Sequence, residues 1–192
     1  MPPTATYEKL LDAAQDVIQV RGFNAFSYGQ LATTVGISTA SIHHHFPTKN
    51  DLGEEVVRRY RVRFNGVLEK IRTECSNPAE CLERYCAEFV ATMESGGRIC
   101  LCGMLASDYE TLPENIRREV RLFFGENEEW LAAILDKGRR DGVFRFEADA
   151  SDLAITFFST LEGAMLDSRM FEDHSRLRRT IECWRGLITV AV

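Results

Sequence analysis

Phe26-Ser-Tyr-Gly-Gln-Leu-Ala-Thr-Thr-Val-Gly-Ile-Ser-Thr-Ala-Ser-Ile-His-His-His-Phe-Pro-Thr-Lys-Asn-Asp-Leu52 is the stretch that decides the fold. Its helical periodicity is broken at short, fixed intervals, which happens nowhere else in the chain. Ser27 or Tyr28 opens a helix whose inward positions are Leu31, Ala32 and Val35. Gly36 supplies the left-handed conformation that a tight turn between helices demands. Ser38 then caps a second helix with Ile42 and Phe46 on its inward face, and Ala32 is small enough to let the two helices cross closely. Two short helices joined in this way make a helix-turn-helix.

Such a motif offers its second helix to the major groove of a duplex. With Ile42 turned inward, Thr39, Ala40 and His43 face outward near that helix's N-terminus, where base edges would lie. The candidate DNA contacts are therefore Ser27, Tyr28, Thr39, Ala40, Ser41, His43, His44 and Lys49. Among them the hydroxyls of Ser27, Thr39 and Ser41 and the ammonium of Lys49 suit phosphate. The dipole of a helix starting near Asn50 is expected to add an anion site.

Working outward, nearly every longer segment has an apolar period of 3.6 residues. Tyr7, Leu10, Leu11, Ala14, Val17 and Ile18 form one stripe that Gly22 stops; Leu52, Val56, Tyr60, Phe64, Val67 and Ile71 form another. Asn77-Pro78-Ala79-Glu80 reads as a helix start, leading into Leu82, Tyr85, Phe89 and Met93 before Gly96-Gly97 ends the helix. A short helix is predicted from about Leu101 to Glu110. Pro113 starts a long one carrying Ile116, Val120, Phe123, Phe124, Leu131, Ile134 and Leu135, which stops near Gly142. Asp149 and Asp173 look like caps of two final helices. No alternating strand-like runs occur. The expected class is all-α with about nine helices: a helix-turn-helix domain at 1–48, then a helical domain at 49–192.

The composition agrees. Of 192 residues, 45% are hydrophobic and 27% charged, which excludes disordered and collagen-like classes. The longest apolar run, Trp130 to Leu135, is too short to span a bilayer, and the N-terminus does not resemble a signal peptide. A soluble, cytoplasmic chain is expected, so Cys75, Cys81, Cys86, Cys100, Cys102 and Cys183 are read as reduced thiols. The net charge of −6 is unevenly distributed. Residues 1–63 sum to +1 and the remainder to −7, which leaves the first third able to approach a polyanion.

Leu31-Ala32-x3-Gly36-Ile37-Ser38-x3-Ile42-x2-His45-Phe46-x2-Lys49-x2-Leu52 resembles the DNA-binding signature of the TetR/AcrR family of bacterial repressors. As in that family, an amphipathic helix ending in Gly22-Phe23 precedes it. The resemblance implies a homodimer that docks two recognition helices into successive major grooves of a palindromic operator, and a small-molecule effector that releases it, with 49–192 as the effector-binding and dimerisation domain. Two departures stand out. His43 occupies the place where the family usually has a tyrosine that contacts the DNA backbone. The tail Pro2-Pro3-Thr4-Ala5-Thr6 lacks the arginines frequent in relatives, so modest non-specific affinity and a gentle salt slope are expected.

Other clusters invite chemistry. His43-His44-His45 cannot converge on one metal, because adjacent helical positions diverge by roughly 100°; no metal or cofactor is expected. Arg58, Arg59, Arg61 and Arg63 point several ways and read as a solvated face rather than a phosphate patch. Ile99-Cys100-Leu101-Cys102-Gly103-Met104-Leu105-Ala106 resembles, more loosely, repressors that sense electrophiles such as maleimides, quinones or acrylate-type compounds. A thiol beside a helix N-terminus is activated, which makes Cys100 the first choice, while ordinary packing of Cys100 and Cys102 is the other reading. An effector site would draw on Cys100, Cys102, Met104, Asp108, Tyr109, Phe123, Trp130, Phe158 and Glu162. The last two helices each carry two apolar faces. Phe157, Leu161 and Met165, with Leu177, Ile181, Trp184 and Ile188, are expected to meet a second copy in a four-helix bundle; Ala191 continues that stripe. No catalytic residue is assigned. A thiol-dependent enzyme and a helical protein-binding adaptor are the alternatives to a DNA-binding repressor.

Overall fold

The computed structural model of the protein describes residues 5–189; the Pro2-Pro3-Thr4 part of the tail and Ala191 lie outside them. Among the described residues there are nine α-helices: α1 Ala5–Arg21, α2 Tyr28–Val35, α3 Thr39–His45, α4 Lys49–Glu74, α5 Pro78–Glu94, α6 Leu101–Ser107, α7 Glu114–Arg140, α8 Ala150–Met170 and α9 Ser175–Ile188. The chain packs as two compact units. One runs through Arg63 and takes in Leu101–Phe123; the other comprises Phe64–Cys100 and the residues from Phe124 on. The boundary expected at residue 48 falls inside the first packing unit, which also includes the start of α4, all of α6 and the start of α7.

In the first unit α1 turns Leu10, Leu11, Ala14 and Ile18 inward. The helix stops at Gly22, whose φ of 84° suits glycine. A Cβ there would also lie 2.9 Å from Asp108 Oδ2. That carboxylate accepts the Phe23 backbone N–H at 2.8 Å. This bond explains why α6 ends at Ser107 rather than near Glu110: Asp108 is drawn to the start of the α1–α2 connection, and a 3-10 turn, Tyr109–Thr111, follows. Near the motif, Arg59 pairs with Glu8 and Asp12, each at 2.8 Å, Arg61 pairs with Glu119 at 3.1 Å, and Arg58 pairs with Glu55. The arginine run is thus neutralised by the unit's own carboxylates.

In the second unit two caps fall where the sequence marks them. Asn77 accepts from the Ala79 N–H and Asp149 from the Ser151 N–H, at 2.9 and 2.8 Å. The cap position of α9 is His174, yet it is the Asp173 carboxylate that accepts from the Ser175 N–H and hydroxyl. Those bonds hold its carboxyl below the usual range. Tyr85, Phe89, Phe157 and Phe158 are all but fully buried. Phe157 meets Trp184 edge-on at 5.2 Å, and the buried Ser168 hydroxyl accepts the Leu177 N–H at 3.0 Å, tying α8 to α9.

The faces of α8 and α9 require a correction. Phe157, Leu161, Met165, Leu177 and Ile188 are buried within the protomer, and Ile181 and Trp184 are half-buried. The large apolar side chains left exposed on these two helices and the turn between them are Ile155, Leu166, Met170, Phe171 and Leu187. Each helix has two apolar faces, and the one carrying the larger rings packs inward, because it buries more surface against α5 and the neighbouring helix.

Candidate functional site

The motif is closed by short-range hydrogen bonds. Ser27 and Gln30 form a capping box at the start of α2: the Ser27 hydroxyl accepts the Gln30 N–H at 3.3 Å, and the Gln30 side-chain Oε1 accepts the Ser27 N–H at 3.0 Å. Gly36 turns the chain with φ 76° and ψ 37°, and its N–H returns to the Ala32 carbonyl. The Ser38 hydroxyl accepts the Ser41 N–H at 3.1 Å to start α3. Ile42 is fully buried and Phe46 nearly so. Tyr7 of α1 stacks on Phe46 with ring centroids 4.9 Å apart.

This burial leaves Thr39, Ala40, His43 and His44 exposed on the outer face of α3. The His43 ring meets Tyr28 edge-on at 4.8 Å, and its Nδ1 lies 3.1 Å from the Pro47 carbonyl. Nε2 is therefore the nitrogen available to a ligand: an acceptor in the neutral ring, a donor in the imidazolium. The three histidines diverge, for His45 is half-buried against Tyr7 at 6.3 Å. Among the described residues no group of histidine, cysteine and carboxylate side chains is arranged to hold a metal.

Three expected contacts have other partners. The Tyr28 hydroxyl donates to the Phe46 carbonyl at 2.9 Å, and burial, aided by nearby Asp51, pushes its pKa up to about 12. It joins the start of α2 to the end of α3. The Lys49 ammonium lies 4.6 and 4.4 Å from the ring centroids of Phe23 and Phe26, and burial lowers its pKa. The N-terminus of α4 is capped by its own residues: the Asp51 carboxylate accepts the Thr48 N–H and hydroxyl at 2.9 and 2.8 Å. A phosphate arriving there would meet a carboxylate already on the helix dipole. Ser27 is likewise committed as a cap, while Ser41 is half-buried. Since residues 22–48 contain no Asp, Glu, Lys or Arg, the exposed face offers hydroxyl, imidazole and methyl groups and almost no net charge.

The expected effector residues divide between the units. Cys102, Met104, Asp108, Tyr109 and Phe123 belong to the first: Cys102 is buried, Asp108 is bound to Phe23, Tyr109 is half exposed with Arg117 over its ring, and Phe123 packs on Tyr60 at 5.4 Å. Cys100, Trp130, Phe158 and Glu162 belong to the second. There Tyr85 stacks on Trp130 at 5.2 Å and tilts against Phe89 at 5.1 Å; Phe158 meets Phe89 at 6.2 Å and Phe124 at 5.1 Å. The Trp130 Nε1–H donates to the Leu68 carbonyl at 3.2 Å. One helical turn beyond Phe158, the Glu162 side chain is buried and neither carboxylate oxygen accepts a hydrogen bond of ordinary geometry. Burial raises its pKa to about 7, and the Cys100 thiol beside it holds it from rising further.

Sequence reading missed two polar members of this cluster. Tyr85 is fully buried and donates to Asn127 Oδ1 at 3.0 Å. Asn127 was detectable: it interrupts the α7 stripe at the inward position between Phe123 and Leu131, where an amide is costly unless bonded.

Comparison with known proteins agrees in both halves of the chain. Residues 10–56 match the family described as bacterial regulatory proteins, tetR family, and residues 78–184 a tetracyclin repressor-like C-terminal domain. A TetR-family transcriptional regulator from Agrobacterium tumefaciens is 32% identical with a TM-score of 0.95, over 98% of this chain and 100% of that one. A TetR transcriptional regulator from Legionella pneumophila is also 32% identical, with a TM-score of 0.88 and the same coverage. The HTH-type transcriptional repressor KstR2 of Mycolicibacterium smegmatis is 28% identical over 156 residues, 81% of this chain and 75% of that protein.

Proposed function

The chain belongs to the tetR family of bacterial regulatory proteins, DNA-binding transcriptional regulators rather than enzymes, and on that premise we propose a homodimeric, cytoplasmic repressor that a small molecule releases from a palindromic operator. The observation that carries this reading is the α3 face. Ile42 and Phe46 anchor it, and Thr39, Ala40, His43 and His44 are left exposed on it.

Two copies would present two such helices to successive major grooves, roughly 34–36 Å apart. The exposed Ile155, Leu166, Met170, Phe171 and Leu187 supply the apolar face for the second copy. The effector would favour a conformation in which the recognition helices no longer match that separation. Helix α4, whose residues fall in both packing units, would carry the change. An effector with equal affinity for both conformations would release nothing.

Contact with the effector is assigned as non-covalent. Cys100 is 2% exposed and lies beside the Glu162 carboxyl, so a dissolved electrophile has poor access to its sulfur. If N-ethylmaleimide releases neither wild type nor Cys100→Ser from DNA, that assignment stands; equal release of both would remove Cys100 from the mechanism, and release of wild type alone would favour the covalent reading.

A gel shift tests the core proposal. Wild type should retard a fragment from upstream of its own coding region, and Thr39→Ala/His43→Ala should bind at least ten-fold more weakly at an unchanged melting temperature. Equal binding by the double variant would remove α3 from recognition. An adaptor or an enzyme would give no shift at all.

A further inference from the structure

Glu162 is the feature of the second unit that packing alone does not explain. An ionisable carboxyl lies one turn from Phe158 in a cluster of rings, and neither oxygen accepts an ordinary hydrogen bond. The polar groups nearest it leave it unmatched. The Tyr85 hydroxyl donates to Asn127 instead, at 3.0 Å, and the Cys100 thiol is a weak donor. Burial dominates its titration and no cation contributes to it. A buried carboxylate in this setting is destabilising unless something positive joins it.

The rings specify what that something would be. Tyr85, Phe89, Trp130 and Phe158 form a continuous aromatic surface, with neighbouring centroids 5.1 to 6.2 Å apart. Aromatic faces carry negative quadrupole charge and attract cations, most strongly where water is excluded. Carboxylate and rings therefore favour the same sign, and both disfavour an anion. Phe124, Phe64 and Trp130 are half-buried; Phe124 touches Phe158 at 5.1 Å and Phe64 touches Phe89 at 6.0 Å. The open groove between α5 and α9 differs: its charges are already matched, Arg185 with Glu83 and Glu182, and Arg178 with Glu94.

We propose that the aromatic cluster around Glu162 is a receptor for an organic cation, an amine or quaternary ammonium group whose charge the Glu162 carboxylate answers. This rests on the effector reading above and names the chemical class of the effector. The rings hold the alkyl or aryl body of the ligand, the carboxylate pairs with its head, and Tyr85 and Asn127, bonded to each other, form a polar wall.

Calorimetric titration of the full-length protein tests this with three probes sharing one ring: benzyltrimethylammonium, benzyl alcohol and benzoate. Wild type should bind the cation at least ten-fold more tightly than the alcohol and should not bind benzoate. Glu162→Gln should weaken cation binding ten-fold or more while its melting transition stays cooperative. Equal binding of the alcohol or benzoate, retained affinity in Glu162→Gln, or no heat from the cation would each overturn the proposal. The wild-type comparison does not depend on how the variant folds. A gel shift on the same preparation separates the two readings: retarded DNA without cation binding removes this inference alone, and cation binding without retarded DNA removes only the regulator reading.

Discussion

The α2–α3 motif and the aromatic cluster around Glu162 manage polar groups in opposite ways. In the motif the polar groups that shape the fold have local partners, Ser27 with Gln30, Ser38 with Ser41 and Tyr28 with Phe46, and the chemistry offered to a ligand sits outside, on the exposed Thr39 and on Nε2 of His43. In the cluster the surface is quiet, and the unmatched group, Glu162, lies inside. A surface that reads a large, hydrated polyanion needs a rigid frame with its functional groups in water. A pocket that recognises a small solute gains selectivity by keeping a charge short of solvation until that solute arrives.

Substitutions test this contrast, beginning with the largest effect. Ile42→Ala removes a fully buried side chain from beneath α3 and should cost about 2–4 kcal/mol, abolishing DNA binding along with the frame; chemical denaturation reads the loss. Glu162→Gln should act in the other direction. Its carboxyl is raised from 4.5 to about 7. Below pH 4.5 folded and unfolded chains both hold the proton. As pH rises from there towards 7 the unfolded chain ionises first and stability falls, by roughly 3 kcal/mol once the folded form has ionised too. The amide avoids this loss, so the variant should melt higher than wild type at pH 8 and close to it at pH 4. A lower melting temperature at pH 8 would mean that the carboxylate already has a strong partner.

Tyr28→Phe deletes the hydroxyl that reaches the Phe46 carbonyl and should cost about 1 kcal/mol, with DNA affinity falling as α3 loosens. His43→Ala is expected to change stability by less than about 0.5 kcal/mol while weakening DNA binding. A stability loss much larger than this would make His43 part of the frame. The affinity of wild type for DNA should also fall only gently with salt, because few fixed cations face the duplex.

The motif was legible because its signals are local. Ser27, Gly36 and Ser38 announce caps and a turn by residue type, and Ile42 and Phe46 recur at helical spacing; each statement concerns a few consecutive residues. Lys49 was not legible in the same way. Its ammonium is held by Phe23 and Phe26, more than twenty residues earlier, whose rings are positioned by tertiary packing. Tyr28 is a similar case, since its partner is a backbone carbonyl at the far end of the next helix. On α8 periodicity located two apolar faces but could not say which packs inward, and the dimer residues were placed on the buried one. Glu162 was visible as a polar residue on an apolar face. Its missing partner was not, because solvation is a property of the whole neighbourhood.

The Tyr28–Phe46 clasp has a consequence for how such a protein could be switched. With both caps formed and the two short helices fastened end to end, the reading surface behaves as a single piece, and loosening it would sacrifice several bonds at once. A signal that frees the promoter is more economically delivered by re-aiming that piece than by melting it. The backbone amides of residues 28–46 should therefore exchange with heavy water equally slowly whether the promoter is held or free of the protein because of an inducer.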